Sequence, residues 1–310
     1  MAWTVSDIPS QAGRLAVVTG PTGLGYETAL ALAQAGATVI VAGRNPQTGE
    51  ASAAKIRGLA PGADARFERL DLASLASVGA FANRMIAAGT PIDLLVNNAG
   101  VMMPPKRQVT ADGFELQFGT NYLGHFALTA ALLPLLRQGR DPRVVSLSSI
   151  AATNASLHFD DLQFAKRYGP TTAYGQSKLA MLMFAYELQR RSDAAGWGIK
   201  SFAAHPGIAR TDLIAKGAGP GSALAIASRL FGGLMSQSAA QGALPTLLAA
   251  TSPTAKAGAY YGPDGMGGLK GAPVLVKPPS QALDTAAAAR LWEVSEQLAG
   301  VRFGQEAVAA

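Results

Sequence analysis

Tyr174 and Lys178 stand four residues apart in Ala173-Tyr174-Gly175-Gln176-Ser177-Lys178. On a helix that interval places both side chains on one face, where a phenol and an ammonium can share a proton-transfer task. A free tyrosine titrates near ~10, so its phenolate is scarce at neutral pH. A cation beside it favours the charged form and lowers that value. Each unit of lowering is about 1.36 kcal/mol, so two units is a reasonable demand on the lysine and a second, ligand-borne cation. Y-x-x-x-K by itself recurs by chance and needs company. Val144-Val145-Ser146-Leu147-Ser148-Ser149 supplies a hydroxyl at the end of a short β-branched run. A serine there can donate to a substrate oxygen and hold it against Tyr174. Ser149 is chosen over Ser148 because strand alternation aims its side chain at the open end of the sheet. Asn121, in Gly119-Thr120-Asn121-Tyr122-Leu123-Gly124-His125-Phe126, falls inside a predicted helix, where asparagine is mildly unfavourable. An exposed surface position is the ordinary reading. Its apolar neighbours argue instead for burial, with the amide needing partners such as a water that bridges to Lys178.

These groups are far apart in the chain, and the pattern of elements is what brings them together. Leu15–Thr19, Thr38–Ala42, Phe67–Leu70, Asp93–Val96, Val144–Leu147 and Lys200–Ala204 read as strands. Between them Gly23–Ala35, Pro46–Leu59, Leu72–Ala88, Asp112–Leu136 and Thr171–Ala195 read as helices. Strand–helix alternation with apolar strands predicts an α/β fold: a doubly wound parallel sheet, Rossmann-type, with helices on both faces in three layers. No repeat, linker or low-complexity tract divides the chain, so residues 1–310 are read as one domain. In such a sheet ligands bind outside the carboxyl ends of the strands.

The strand ends are accordingly the places to read. The first ends in Thr19-Gly20-Pro21-Thr22-Gly23-Leu24-Gly25 and enters a helix. Glycines there allow a tight turn, and backbone N–H groups with the helix N-terminus can receive a pyrophosphate; a turn without a ligand is the plainer alternative. The second strand ends Ala42-Gly43-Arg44-Asn45. A carboxylate at this point would bind a ribose 2′-hydroxyl and repel a 2′-phosphate. A neutral glycine followed by a guanidinium favours NADP(H) over NAD(H), unless Arg44 is simply solvated. Asp71, before Leu72, can accept from an adenine amine, cap the following helix, or do both. Asn97-Asn98-Ala99-Gly100 suits close approach of a cofactor ribose, or is a turn with no ligand.

Taken together, these motifs resemble the short-chain dehydrogenase/reductase superfamily, in register from Leu15 to Thr211. The resemblance implies that Thr19, Gly20, Thr22, Gly23, Leu24 and Gly25, with Arg44, Asn45, Asp71, Leu72, Asn98, Ala99 and Gly100, contact the dinucleotide. It adds Pro206, Gly207, Ile208 and Thr211, as well as Tyr174 and Lys178 at the nicotinamide ribose. Asn121, Ser149, Tyr174 and Lys178 match the catalytic tetrad. In that scheme Tyr174 is the acid/base, Lys178 lowers its pKa, Ser149 orients the substrate oxygen and Asn121 holds a proton-relay water. Gly25-Tyr26-Glu27-Thr28-Ala29, Asp112-Gly113-Phe114-Glu115 with Gln117, Phe159-Asp160-Asp161-Leu162 and Tyr174-Gly175-Gln176-Ser177-Lys178-Leu179-Ala180 resemble the retinol-dehydrogenase-like and protochlorophyllide-reductase-like branch. One departure stands out. The usual turn is T-G-x-x-x-G-x-G, whereas Thr19–Gly25 is one residue shorter, and Pro21 removes a backbone donor.

The implied function is NADP(H)-dependent hydride transfer between a nicotinamide and a carbonyl/alcohol pair on an apolar small-molecule substrate. Reduction of an activated C=C bond is an alternative, although its usual cysteine is absent from a chain with no Cys. A non-catalytic NADP(H) sensor would commonly have lost Tyr174 or Lys178, and a sugar-nucleotide epimerase would need a larger substrate domain. The missing cysteines also exclude disulfides and thiolate chemistry, and His125, His158 and His205 lack metal-ligand spacing. The net charge of +6 is spread without a basic run, which argues against nucleic acid. No signal peptide or membrane-length apolar run is read, so the expected location is the cytoplasm. Residues 212–250 are read as a substrate loop and lid, with Met102, Met103 and Met235 as core filler or pocket lining. The apolar run Leu179–Leu188 is assigned to the sheet and to a neighbouring helix or a second subunit, which leaves a homo-oligomer open. Tyr260–Gly265 and Ala282–Leu298 are read as a last loop-and-strand region and a helix.

Overall fold

The computed structural model describes residues 2–210 and 236–304. Thr211, the apolar stretch that follows it and Met235 lie outside the described residues. Eight strands form one sheet in the order β3-β2-β1-β4-β5-β6-β7-β8. They are β1 (Leu15–Thr19), β2 (Thr38–Gly43), β3 (Ala65–Arg69), β4 (Leu94–Asn97), β5 (Arg143–Leu147), β6 (Lys200–Ala204), β7 (Tyr260–Gly265) and β8 (Lys270–Leu275). All neighbours pair in parallel except β7 and β8, which form an antiparallel hairpin at one edge. The order reverses direction between β1 and β4, and a ligand crevice belongs at that switch point.

The long helices are α1 (Leu24–Gln34), α2 (Pro46–Leu59), α3 (Leu75–Ala88), α4 (Gly124–Leu136), α5 (Pro170–Ala195), α6 (Ala239–Thr251) and α7 (Thr285–Ala299). Alternation along the buried strands divides the core in two. Leu15, Val17 and Val144 pack with Phe81, Phe126, Phe184 and Trp292 under α3, α4, α5 and α7. Ala16, Val18 and Val145 face Leu32, Ile56 and Leu247 of α1, α2 and α6. Each fully buried large side chain contributes roughly 1.5–3 kcal/mol, so the strand positions beneath the site are firmly held.

The structure shifts several boundaries for local reasons. α3 starts at Leu75, not Leu72, because Ser74 caps it by accepting from Ser77 N, while Asp71 Oδ1 holds Ala73 N in the preceding turn. The predicted helix from Asp112 begins later. Residues 112–115 form a turn and an isolated bridge between Val109 and Glu115. The buried Glu115 carboxylate then accepts from the N–H groups of Gln117 (3.0 Å) and Phe118 (2.7 Å), and this starts the helix. Phe118–Leu123 is wound as a π-helical turn, with Gly124 N–H reaching back to Gly119 O, before α4 continues. Of the stretch read as a lid, Ala239–Thr251 is a helix buried against the sheet, with Ala243 and Leu247 in the core. Its apolar face serves packing. The C-terminal region yields two strands and α7, and the hairpin strand β8 was not anticipated as antiparallel.

Candidate active site

α5 carries Tyr174 and Lys178 in its first turns, with Pro170 at the helix start fixing where the helix begins. Both residues are buried to 6% exposure. Lys178 Nζ donates to the carbonyl of Leu147 at 3.0 Å and lies 5.9 Å from the centre of the Tyr174 ring. The ammonium is therefore tied to the end of β5. In the other direction, Ser148 Oγ donates to Lys178 O at 2.8 Å. Ser148 thus ties α5 to β5, and Ser149 follows it at the strand exit. Ser149 is close enough to Tyr174 to pull its pKa down, and its hydroxyl accepts from Ala151 N at 3.2 Å.

Asn121 sits in the π turn and is fully buried. Its Oδ1 accepts from Val101 N at 2.7 Å, and its Nδ2 donates to Val101 O at 3.0 Å and to Ser177 Oγ at 2.9 Å. Both amide hydrogens are thus used in bracing α5 and the end of β4. Gly100 brings the strand end against this group. A Cβ there would lie 3.0 Å from Asn121 Oδ1 and 3.7 Å from Lys178 Nζ. Tyr174, Lys178, Ser149 and Asn121 are gathered by α5, the β5 exit and the π turn at one end of the sheet.

Burial controls the protonation of the pair. It pushes the Tyr174 phenol up to about 12, with Ser149 pulling the other way, and pushes the Lys178 ammonium down to about 8. The sequence-based expectation was that the lysine would depress the tyrosine. In the protein alone desolvation wins, and the phenol is held in its proton-bearing form. At neutral pH the lysine remains mostly cationic.

The turn after β1 meets the requirements of a dinucleotide. Gly20 and Gly23 adopt φ of +91° and +56°. A Cβ at Gly25 would lie 2.0 Å from Gly20 O, a backbone atom that cannot move aside cheaply. Helix α1 has no side-chain cap, and its first intrahelical bond runs from Glu27 N to Gly23 O. The N–H groups of Leu24, Gly25 and Tyr26 precede that bond, leaving donors and partial positive charge for a pyrophosphate. The shortened loop leans outward: a Cβ at Gly43 would meet Pro21 Cδ at 2.7 Å, and Pro21 O accepts from Ser52 Oγ at 2.6 Å. No side chain, acidic or otherwise, fits at Gly43 without moving that proline. Arg44 beside it is exposed.

Other expected contacts fall into place unequally. Thr19 is buried completely, so its hydroxyl faces inward and cannot touch a nucleotide; this corrects the contact assigned to it. Asn98 likewise uses its Nδ2 on Thr19 O at 2.7 Å, leaving Ala99 and Gly100 to form the rim. Asn45 accepts from Thr48 N at 3.0 Å as the cap of α2. The Leu72 side chain is in the core, so only its backbone can serve a ligand. Asp71 keeps Oδ2 unengaged among the described residues. Pro206, Gly207 and Ile208 follow β6 and are tied to the β7–β8 hairpin through Ile208 N–H donating to Leu269 O at 2.8 Å. His205 is buried against Tyr260, with its pKa pushed down to about 4 by burial, in a structural position. Sequence reasoning missed His125, Ser177 and the anchoring role of Ser148. A lone imidazole inside Gly124-His125-Phe126-Ala127-Leu128 was the available signal, since a buried ring needs two partners.

A cavity of about 530 Å³ opens between the β5 exit and the hairpin, lined by Ile150, Thr153, His205, Tyr260, Val274 and Val276 among others. No helix of the described residues is long and apolar enough to cross a membrane.

The short chain dehydrogenase family model matches residues 14–218. The chain is 44% identical to mouse polyprenol dehydrogenase over 251 residues, covering 79% of this chain and 74% of that one. It is 46% identical to mouse retinol dehydrogenase 13 over 210 residues, 66% of this chain and 62% of that one, so under two thirds of the latter is spanned. Among solved structures, an uncharacterized protein from Mycobacterium paratuberculosis superposes with a TM-score of 0.81 at 40% identity, covering 98% of this chain and 100% of that one. The RhlG/NADP complex of Pseudomonas aeruginosa, at a TM-score of 0.65 and 24% identity over 81% of this chain and 94% of that one, shares the fold. The chain is an oxidoreductase that belongs to the short-chain dehydrogenase/reductase superfamily, in its retinol-dehydrogenase-like branch.

Proposed function

We propose that this protein passes hydride between NADP(H) and a carbonyl/alcohol pair on an apolar substrate, with Tyr174 as acid/base. The observation that carries the reading is the convergence of Tyr174, Lys178, Ser149 and Asn121 at the end of the sheet that also bears the glycine turn. The family takes a nicotinamide nucleotide, which when bound supplies or accepts the hydride. Leu24, Gly25 and Tyr26 N–H would hold its pyrophosphate, Ala99, Gly100 and Lys178 its nicotinamide side, and Asp71 its adenine.

The chain's own residues do the rest. Ser149 donates to the substrate oxygen and holds it within reach of the phenol. In reduction Tyr174 gives its proton to that oxygen; in oxidation it takes one back. The high Tyr174 pKa keeps the donating form present at neutral pH. Lys178, fixed by Leu147 O, places a cation beside the phenolate that remains and favours it. Asn121 positions α5 through Ser177, and the family resemblance gives it the relay water.

Choice of NADP(H) over NAD(H) rests on Gly43 and Arg44. Pro21 blocks any carboxylate at position 43, and a guanidinium at 44 suits bidentate phosphate contact. An apolar substrate is supported by relatives named for two alcohols, retinol and polyprenol. The test is a panel of apolar aldehydes, ketones and alcohols, followed at the nicotinamide absorbance with each nucleotide. Turnover with NADPH or NADP is expected for at least one apolar pair. Activity with NADH alone, or only on charged substrates, would overturn the assignment.

A further inference from the structure

The buried edge of α4 holds an imidazole that the reaction scheme above does not use. His125 is fully buried, with Nδ1 2.8 Å from the carbonyl oxygen of Asn121 and Nε2 2.9 Å from Thr19 Oγ1. The hydrogen-bond inventory fixes its protons. A hydroxyl has two acceptor sites and one proton. Thr19 Oγ1 already accepts from Asn98 N and Ala99 N, each at 2.9 Å. It has no room for a third donor. Its own proton has two acceptors in reach, Val96 O at 3.3 Å and the nearer Nε2 at 2.9 Å, and with either of them Nε2 cannot be the donor. The carbonyl of Asn121 can only accept, so Nδ1 must carry the hydrogen. An imidazolium, or the opposite tautomer, would leave a donor facing a saturated hydroxyl. Burial pushes the ring pKa down to about 3, with the nearby Lys178 charge adding to the effect, and the ring is accordingly neutral.

The connections continue on both sides. From Thr19, the first residue of the glycine turn, the bonds reach the β4 end at Asn98 and Ala99. From Asn121 they pass through Nδ2 to Ser177 Oγ, which donates to Tyr174 O at 2.8 Å. His125 is the link where the nucleotide turn and the proton-transfer helix meet. π-helical turns cluster at functional sites and store a geometry that needs support, and Asn121 lies within one.

We infer that His125, as the neutral Nδ1–H tautomer, is a positioning residue that couples the nucleotide-binding turn at Thr19 to the Asn121 carbonyl and through it to Tyr174. The inference rests on the functional reading above for what is being positioned. A buried histidine that merely fills the core would make the same contacts without dividing its effects between binding and chemistry.

Two conservative substitutions separate the two sides of the ring. The amide of His125→Asn reaches the Nδ1 position and can still donate to Asn121 O, but gives up Thr19. The amide of His125→Gln reaches the Nε2 position and can still accept from Thr19, but gives up Asn121. With NADPH as the probe, His125→Asn should weaken nucleotide binding about tenfold and keep kcat, the scale of one buried hydrogen bond. His125→Gln should keep NADPH binding and lower kcat about tenfold. Both are measured below the melting temperature of the weaker variant. Losses of binding and kcat in the same proportion in both variants would overturn the inference. A second readout needs no turnover. The chain has three histidines, so imidazole ¹⁵N resonances can be assigned by removing His158 and His205 singly. His125 should show a protonated Nδ1 and a bare Nε2 at neutral pH. The opposite tautomer would sink the inference. The expected tautomer in a protein that turns over no carbonyl or alcohol would instead sink the functional reading.

Discussion

The two halves of the crevice are built in opposite ways. On the catalytic side nearly every polar atom is committed before any ligand arrives: Lys178 to Leu147 O, Ser148 to Lys178 O, Asn121 to Val101 and Ser177, and His125 to Thr19 and Asn121. On the phosphate side the glycine turn has no side-chain cap, Arg44 is exposed, and the loop is one residue short. The difference follows from what each half must do. Proton transfer needs groups held to within a fraction of an ångström, which packing and hydrogen bonds provide. Anion binding needs donors left open, because a capped helix end has nothing to offer a phosphate.

If the catalytic half is preorganised, small changes there should be costly. Lys178→Met should lower kcat by about 10²- to 10³-fold, within the range for a group that assists proton transfer, with little change in fold as followed by circular dichroism. In the wild type, the Lys178 ammonium is pushed down to about 8 by burial. Its charge is present below that pH and lost above it, whereas the Tyr174 proton persists to about 12. The reductive kcat/KM should therefore fall as pH rises through about 8. A profile flat to pH 10 would break the assignment.

The open half should respond mainly in binding. Arg44→Ala removes one charge-assisted contact, worth about 1.5–3 kcal/mol, and should raise KM for NADPH about tenfold or more while leaving that for NADH nearly unchanged. Equal effects on both nucleotides would refute the 2′-phosphate role. The smallest effect is expected from restoring the loop. Inserting Ser after Thr22 supplies one more backbone N–H and should tighten NADPH binding by calorimetry about two- to fivefold, the scale of a single net hydrogen bond. No gain would show that the short turn already makes its full set of contacts.

How much of this was legible in the sequence follows the same division. The parallel strands read easily because LAVVT and TVIVA are apolar on both faces, as a sheet covered twice must be. Tyr174, Lys178, Ser149 and Asn121 could be named from residue type and spacing. The inward turn of Thr19 could not, because its hydroxyl partners come from β4 and α4, 77 to 106 positions away. The π turn was read as plain helix since its apolar pattern is helical and only the ladder differs. The late start at Leu116 was hidden because Glu115 caps with a carboxylate that also suits a helix interior. β8 escaped notice because Lys-Gly-Ala-Pro-Val-Leu has weak strand character, and an edge strand tolerates its proline. The raised Tyr174 pKa was missed because charge spacing is visible in a sequence and depth of burial is not.

The most direct test is Tyr174→Phe, which deletes one oxygen from a buried ring and leaves its packing in place. NADPH binding by fluorescence titration should stay within about threefold of wild type, while single-turnover hydride transfer to an apolar aldehyde should slow by about 10²- to 10⁴-fold. Hydride transfer at the wild-type rate in that variant would contradict the account at its centre.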